Sequence, residues 1–406
     1  MRFGLRSPGA SVPGFTGLPR HESKGLMVPV RILHAHSTFS LGGKEARAAR
    51  LMNAFGPTAS HAVISAVPGA LGAREAIARQ TRVEFPTDAP PLAGAPTPSR
   101  LYRLARYLRG FDLVLTYNWG AMDAVMARRL FGGPPLVHHE DGFNEDEAER
   151  LNKARNRYRR LALGAAHRLV VPSKRLEEIA LKHWKQSLSR LVRIPNGIPV
   201  ERYSGPPGPE TIPGLAKAPG EIVVGTVAGL RAVKNLPRLV RAFAAMTVPQ
   251  ARLAIVGSGP ESERIAAEAR RLGVADRVHL PGFLADPARY IGLFDVFALS
   301  SDSEQFPISL IEAMAAGLPV VATDVGDVAD MVSADNLPLI VHREDEAAFA
   351  AALDSLAERG DLRHAIGRAN REKAKADYDE ARMIARYAAL YGEAIGRPGA
   401  FRPPAL

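Results

Sequence analysis

The chain has 406 residues, 46% of them hydrophobic, no cysteine, and 53 basic against 42 acidic side chains, a net charge of +11. That length accommodates two domains of roughly 100–200 residues, the composition excludes general disorder, and the absence of cysteine excludes disulfides, thiol nucleophiles and thiolate metal sites. Charge is unevenly divided: Met1 to Val200 carries 30 basic and 15 acidic residues, whereas Glu201 to Leu406 carries 23 and 27, a split that predicts two domains with different partners.

Residues 1–28 are rich in Gly, Pro, Ser and Arg and read as a disordered tail, or an over-extended start before Met27, rather than a secretory signal. Ordered structure is expected from Val30, where the strand Val30–Ala35 runs into a Gly loop and a helix from Lys44 to Phe55. A further apolar run spans His61–Val67, and Pro86–Pro98 reads as a surface loop. A basic helix (Ser99–Arg109), a strand (Leu113–Thr116), a helix (Ala121–Leu130) and a strand (Leu136–His139) follow. The alternation restarts with strands at Ile222–Val227, Arg252–Val256, Val278–Leu280, Val296–Leu299 and Pro319–Ala322. Pro195–Pro199 and the Pro/Gly-rich 205–220 separate the two series. Alternating strands and helices predict an α/β fold of two Rossmann-like, doubly wound parallel sheets facing across a cleft. The expected division is a first domain over 29–200, a linker over 201–220, a second domain over 221–377, and a return helix over 378–396 that crosses back to the first. No apolar run approaches the ~20 residues needed to cross a bilayer, so a cytoplasmic placement, peripheral to the membrane, is expected.

The densest chemistry lies in Ser303-Glu304-Gln305-Phe306-Pro307-Ile308-Ser309-Leu310-Ile311-Glu312, followed by Ala-Met-Ala-Ala-Gly-Leu-Pro-Val-Val-Ala. Pro307 is suited to a first helical turn and Gly317 to a helix stop. This puts Glu304 at a helix entrance, where free N–H groups point, and Glu312 along the helix. Upstream, Arg231 and Lys234 in the loop after Ile222–Val227 supply two cations for a departing diphosphate without a metal. Gly257 and Gly259 in Val256-Gly-Ser-Gly-Pro260 form a tight strand-to-helix turn. Gly43, in Leu41-Gly42-Gly43-Lys44-Glu45, lets backbone N–H groups approach a ligand at a helix start. His138-His139-Glu140-Asp141-Gly142 ends a strand, and adjacent residues there alternate in direction, so they cannot all face one metal ion. The one D-x-D triplet, Asp377-Tyr378-Asp379, lies apart from these segments, and no metal site is expected.

Taken together, these segments resemble GT-B-fold retaining glycosyltransferases of family 4, the glycosyl transferases group 1, from about Val30 to Ile395. The resemblance implies that Glu304 contacts the donor sugar, with Phe306, Pro307 and Ile308 beside the donor. Glu312 would hold the ribose hydroxyls, and Arg231 with Lys234 the diphosphate. Gly257 and Gly259 would lie near the donor and Gly43 on the acceptor side. The family often places a His directly before the Gly at the position of Asp141, so either Asp141 serves there or His139, two residues earlier, takes the role. The family also often has an Arg where this chain has Gly229. The implied substrates are a UDP- or GDP-sugar donor, with no separate cofactor, and a glycan or glycolipid acceptor of envelope type. Net retention is implied by the resemblance alone.

The basic half suits an anionic membrane surface through Arg100, Arg103 and Arg109 on one helix and Arg155, Arg157, Arg159 and Arg160 on another, with simple solubility as the plainer alternative. Nucleic acid is not expected, because no helix-turn-helix, zinc or stacking-aromatic motif accompanies the charge. A nicotinamide oxidoreductase with two Rossmann-like domains would need a G-x-G-x-x-G turn that neither Gly segment provides. A catalytically silent protein of the same fold is the other alternative.

Overall fold

The computed structural model describes residues 1, 28–40, 42–143, 147, 151–208 and 210–401; residues 2–27 of the expected tail and Leu41 lie outside the described residues. Thirteen strands are present among these: β1 (Val30–His36), β2 (Ala59–Ser65), β3 (Val83–Glu84), β4 (Leu113–Tyr117), β5 (Leu136–His139), β6 (Arg168–Val171), β7 (Leu191–Arg193), β8 (Ile222–Val227), β9 (Ala251–Val256), β10 (Val278–Gly282), β11 (Val296–Leu299), β12 (Val320–Thr323) and β13 (Ile340–Val341). They form two parallel sheets, one in the order β3-β2-β1-β4-β5-β6-β7 and one in the order β10-β9-β8-β11-β12-β13. Each order reverses direction beside its first strand, the hallmark of doubly wound folds, whose ligands bind at the carboxyl ends of the strands.

Both faces of each sheet are covered, which is why the strands are apolar nearly throughout. On β1, Ile32 packs into the core under α1 (Gly43–Phe55), while its neighbour Leu33 packs into the core under α2 (Pro98–Leu108) and α3 (Met122–Phe131). Thr97 caps α2 through the Arg100 amide and Pro98 opens it; Leu101, Leu104 and Leu108 are then buried at helical spacing. α4 (Lys153–Ala162) and α5 (Lys174–Lys182) complete the first domain. The second carries α6 (Leu236–Ala244), α7 (Ser262–Arg271), α8 (Ile308–Ala315), α9 (Val328–Met331), α10 (Glu346–Glu358) and α11 (Gly360–Asp377).

As the fold class predicts, the last helix, α12 (Glu380–Ala394), returns to the first domain. Met383, Ile384, Tyr387 and Tyr391 share a core with Val30, Phe55 and Leu113. The return is tied to the linker, because the Ile198 amide donates to the Tyr378 carbonyl at 2.9 Å and the Glu380 amide to the Ile198 carbonyl at 2.9 Å. No helix among the described residues is long and apolar enough to cross a membrane.

Candidate active site in the interdomain cleft

The carboxyl ends of the two sheets meet. Gly43, at the start of α1, faces the second domain so closely that a Cβ there would lie 2.9 Å from Ile308 Cδ1. Across the same cleft, Asp327 accepts from the backbone amides of Lys174 (2.5 Å) and Arg175 (2.9 Å), so a carboxylate of one domain caps α5 of the other. Lys174 Nζ pairs with Asp330 at 2.5 Å. A cavity of about 380 Å³ lies at this hinge, lined by Phe306 and Tyr378 among others.

In the second domain, the loops after β8 and β11 are stitched together. Ser300 Oγ donates to the Lys234 and Asn235 carbonyls, both at 3.1 Å, and the Asp302 amide to the Val233 carbonyl at 2.9 Å. Asn235 caps α6 and donates to Asp302, which also pairs with Arg238 at 2.8 Å. The stitching brings Lys234 Nζ to Glu304 Oε1 at 2.5 Å, and Ser301 Oγ donates to the same oxygen at 2.7 Å. Two residues 70 apart in sequence are thus held as a preformed ammonium–carboxylate pair, only 15% and 9% exposed at their side chains. Arg231 is exposed on the same loop, bent back towards Gly229.

Gly257 shows why the neighbouring turn is glycine: its φ is +150°, and a Cβ would lie 1.8 Å from the Ala228 carbonyl oxygen. With Gly259, which abuts Leu230 in the same way, it lets the turn after β9 press on the loop that carries Arg231 and Lys234. Their observed contacts are to backbone.

α8 begins at Ile308, so Pro307 is its cap residue, in extended conformation, and not a member of the first turn. The helix runs toward the hydrophobic core, burying Leu310, Ile311 and Met314. Glu312 lies about one turn in, and burial pushes its carboxyl above the ordinary carboxylate value, opposed by a hydrogen bond from the Tyr203 hydroxyl at 2.9 Å. Tyr203 sits in the Pro/Gly-rich linker, where no motif pointed to it. Phe306 packs edge-on against Tyr378 at 5.8 Å.

The first domain's candidates are arranged differently. His138 and Glu140 turn to one side of their strand and His139 and Asp141 to the other, as alternation requires. His139 is 1% exposed and stacks on Tyr117 at 4.6 Å. Its Nδ1 meets the Thr116 carbonyl at 3.2 Å and its Nε2 the Tyr391 hydroxyl at 2.8 Å, so both ring nitrogens are taken. Of the two alternatives, His139 thus lies under the return helix with both ring nitrogens engaged. Asp141 forms a two-pronged pair with Arg47, whose charge holds its carboxyl below the ordinary value against the opposing effect of burial. Arg47 also donates to Asn196 of the linker at 2.8 Å.

Two of the expected surface cations are likewise interior. Arg100 is 6% exposed and donates to the carbonyls of Pro91, Leu92, Gly94 and Ala95 and to Asp123. Arg159 is 1% exposed, doubly bonded to Glu147 and enclosed by the rings of Trp119, Phe143 and Trp184 at 5.1–5.3 Å. A single buried strut of this kind cannot touch a membrane. Among the described residues no cluster of three His, Asp or Glu is arranged to hold a metal ion.

The chain is similar to known proteins in sequence and in fold. Residues 209–373 match the family of glycosyl transferases group 1, and residues 41–202 match glycosyltransferase family 4. The N-acetyl-alpha-D-glucosaminyl L-malate synthase of Bacillus anthracis is 27% identical over 170 residues, 42% of this chain and 45% of that protein. The 2-deoxystreptamine N-acetyl-D-glucosaminyltransferase of Streptomyces fradiae is 28% identical over 254 residues, 58% and 59% of the two chains. The matched stretch thus spans about half the length of these relatives. In fold, the chain is similar to Anabaena HepE in complex with UDP, with a TM-score of 0.74, 22% identity, and 89% and 100% of the two chains covered. The paired sheets, the returning helix and the two matched halves agree, and the chain belongs to the group 1, family 4 glycosyl transferases of GT-B fold.

Proposed function

We propose that the protein transfers a sugar from a nucleotide sugar, a UDP- or GDP-sugar, to a glycan or glycolipid acceptor of the cell envelope, with retention of anomeric configuration and without a metal ion. The observation that carries this reading is the Lys234–Glu304 pair at the carboxyl ends of β8 and β11. On this reading Glu304 orients the donor sugar, and Lys234, relieved of its partner, meets the diphosphate together with the exposed Arg231. Cations held in place before reaction stabilise charge that develops as the leaving group departs. Glu312 binds the ribose hydroxyls through α8. Gly257 and Gly259 act by positioning the basic loop, while Phe306, Pro307 and Ile308 form the donor's wall. The acceptor enters against Gly43, and Asp141, oriented by Arg47, is the polar group nearest the position the family gives to histidine. Similarity to glycosyltransferases whose names specify N-acetylglucosaminyl transfer and to a fold found with UDP supports the donor class.

The test is a panel of UDP-, GDP- and ADP-sugars incubated with chelator-treated enzyme, scoring nucleoside diphosphate release. Stabilisation and turnover of one sugar nucleotide in EDTA is the expected outcome. NMR of the product giving an inverted anomer sinks the retaining claim, strict divalent-ion dependence sinks the metal-independent one, and binding without turnover on any acceptor favours the silent alternative.

A further inference from the structure

The start of α5 is completed by the opposite domain. The first amides of a helix have no partner within it and must find one elsewhere. Ser173 caps α5 in the ordinary way, accepting from the Leu176 amide at 3.0 Å. The two amides before that, of Lys174 and Arg175, donate to Asp327, one to each carboxylate oxygen. Asp327 is 4% exposed and stands in the loop after β12 of the second domain. Opening the cleft would strip both amides of their acceptor and the carboxylate of its donors. The neighbouring Lys174–Asp330 pair is half exposed on both sides, at 50% and 52%, and pairs of that kind contribute little. The buried carboxylate, bonded twice at the positive end of a helix, is the stronger tie.

The loop that carries Asp327 is also fastened to the segment that carries Glu304. Thr323 ends β12, and its Oγ1 donates to the Ser301 carbonyl at 2.6 Å; Ser301 Oγ in turn donates to Glu304 Oε1 at 2.7 Å. Gly326 has a φ of +60°, and a Cβ there would lie 2.2 Å from the Glu304 carbonyl oxygen. No side chain separates these two backbones, so displacement of Asp327 is passed directly to Glu304. On the first-domain side the same segment is touched by Gly142, where a Cβ would lie 3.2 Å from Gln305 Cγ, and by Gly43 against Ile308. A contiguous chain of contacts therefore runs from the first turn of α5 through Asp327 and Gly326 to Glu304.

We infer that Asp327 is a positioning residue for transfer: by capping α5 across the cleft, its carboxylate fixes the closed register in which Glu304 faces the acceptor wall at Gly43 and Gly142. Release of this cap accompanies opening of the cleft. The effect on rate rests on the transferase reading, whereas the effect on closure does not.

The test compares Asp327→Ala and Asp327→Asn with wild type, using Lys174→Ala as the reference because it keeps the backbone amide. Small-angle X-ray scattering of the full chain without substrate should give a larger radius of gyration for Asp327→Ala. Single-turnover transfer at saturating donor should fall by about 5–100-fold, the span of typical couplings and of small misplacements in an active site. Asp327→Asn offers one acceptor oxygen in place of two and should lie between. Donor affinity, measured by calorimetry without acceptor, should be unchanged, and Lys174→Ala should scatter and turn over as wild type does. Circular dichroism checks folding, and the isosteric Asp327→Asn carries the test if the alanine variant does not fold. An unchanged radius of gyration overturns the assignment, as does an unchanged single-turnover rate in a variant that has opened. Lost donor affinity overturns it too, by placing Asp327 in the donor site. Absence of transfer by the wild type removes the transferase reading, while an open Asp327→Ala still supports the clasp, so the two failures are distinguishable.

Discussion

The two domains present the carboxyl ends of near-identical parallel sheets to one cleft and place opposite kinds of polar chemistry there. In the first domain the polar groups are packed into the fold. His34 bonds Tyr117 at 3.1 Å and His61 at 3.0 Å, His36 stacks on Tyr117 at 4.0 Å, and His139 and Asp141 are held by Tyr391 and Arg47. In the second domain the Lys234–Glu304 pair sits on surface loops, with one carboxylate oxygen taken by two donors. Histidines and acids beside a cleft are thus weak evidence of catalysis until their partners are known. A preformed charge pair at a loop junction is stronger evidence, because it holds its members oriented before any ligand arrives.

The sharpest way to break this contrast is to remove a packed group. Arg159→Ala leaves the fully buried Glu140 without its cation and Glu147 with Arg155 alone, and loss of one partner of a buried pair costs about 3–5 kcal/mol. Both tryptophans of the chain, Trp119 and Trp184, lie in the first domain, so intrinsic fluorescence during urea unfolding reads that domain alone. A cost below about 1 kcal/mol would show that Arg159 is no strut. The complementary change, Glu304→Gln, should lower transfer about 10²–10³-fold, the loss typical of one preorganised transition-state group, with the urea midpoint nearly unmoved. A variant that is equally active would remove Glu304 from the chemistry.

Acidification should separate the domains next. Burial lowers the ring of His61 to about 4 and that of His139 to about 3. The unfolded chain therefore takes up protons first as pH falls below 6.5, and stability present above that value drains away down to these lower limits. Between pH 7 and 5.5 the two rings together account for about 2 kcal/mol, seen as a lower urea midpoint in tryptophan fluorescence. Glu312 has the opposite sign: its carboxyl is raised, so its contribution favours folding at acid pH and is lost as pH rises through the raised value. A first domain indifferent to this pH step would mean that the histidines titrate in the folded state.

How much of this was legible follows from how local each signal is. Val30–His36, Ile222–Val227 and the other central strands stand out because a sheet covered on both faces demands unbroken apolar runs. β6 and β7 escaped, since Arg168 and Arg193 at their ends dilute runs of only four and three residues, and two-residue edge strands such as β3 have no run to detect. Glu304 and Lys234 were recognisable from motif context, but their contact was not, because only the fold brings residues 70 apart together. The same distance hid the Arg47–Asp141 pair, 94 residues apart, and the covering of His139 by Tyr391, 252 residues away. Helical spacing marked Arg100 as surface-facing, yet the Pro/Gly loop before α2 turns four carbonyls onto its guanidinium and α3 adds the Asp123 carboxylate.

Tyr203 sets the finest test of the contrast, because it belongs to the linker yet bonds the donor domain's Glu312. Tyr203→Phe keeps the ring, which packs with Val200, Leu215 and Tyr290, and removes only the hydroxyl that donates to Oε1. A hydrogen bond to a charged group contributes about 1.5–3 kcal/mol, so stability should fall by about 2 kcal/mol. Without that donor the Glu312 carboxyl should rise further, since the bond is the main influence now opposing burial. Donor affinity should then weaken by severalfold in acid buffer and by less in alkaline buffer, where ionisation of the carboxyl is favoured, with the turnover number at saturation unchanged. A loss equal at both pH values would assign Tyr203 to packing alone. No loss at either would place the donor's ribose away from Glu312, leaving Arg231, Lys234 and Glu304 as the charged groups of the second domain still tied to the donor.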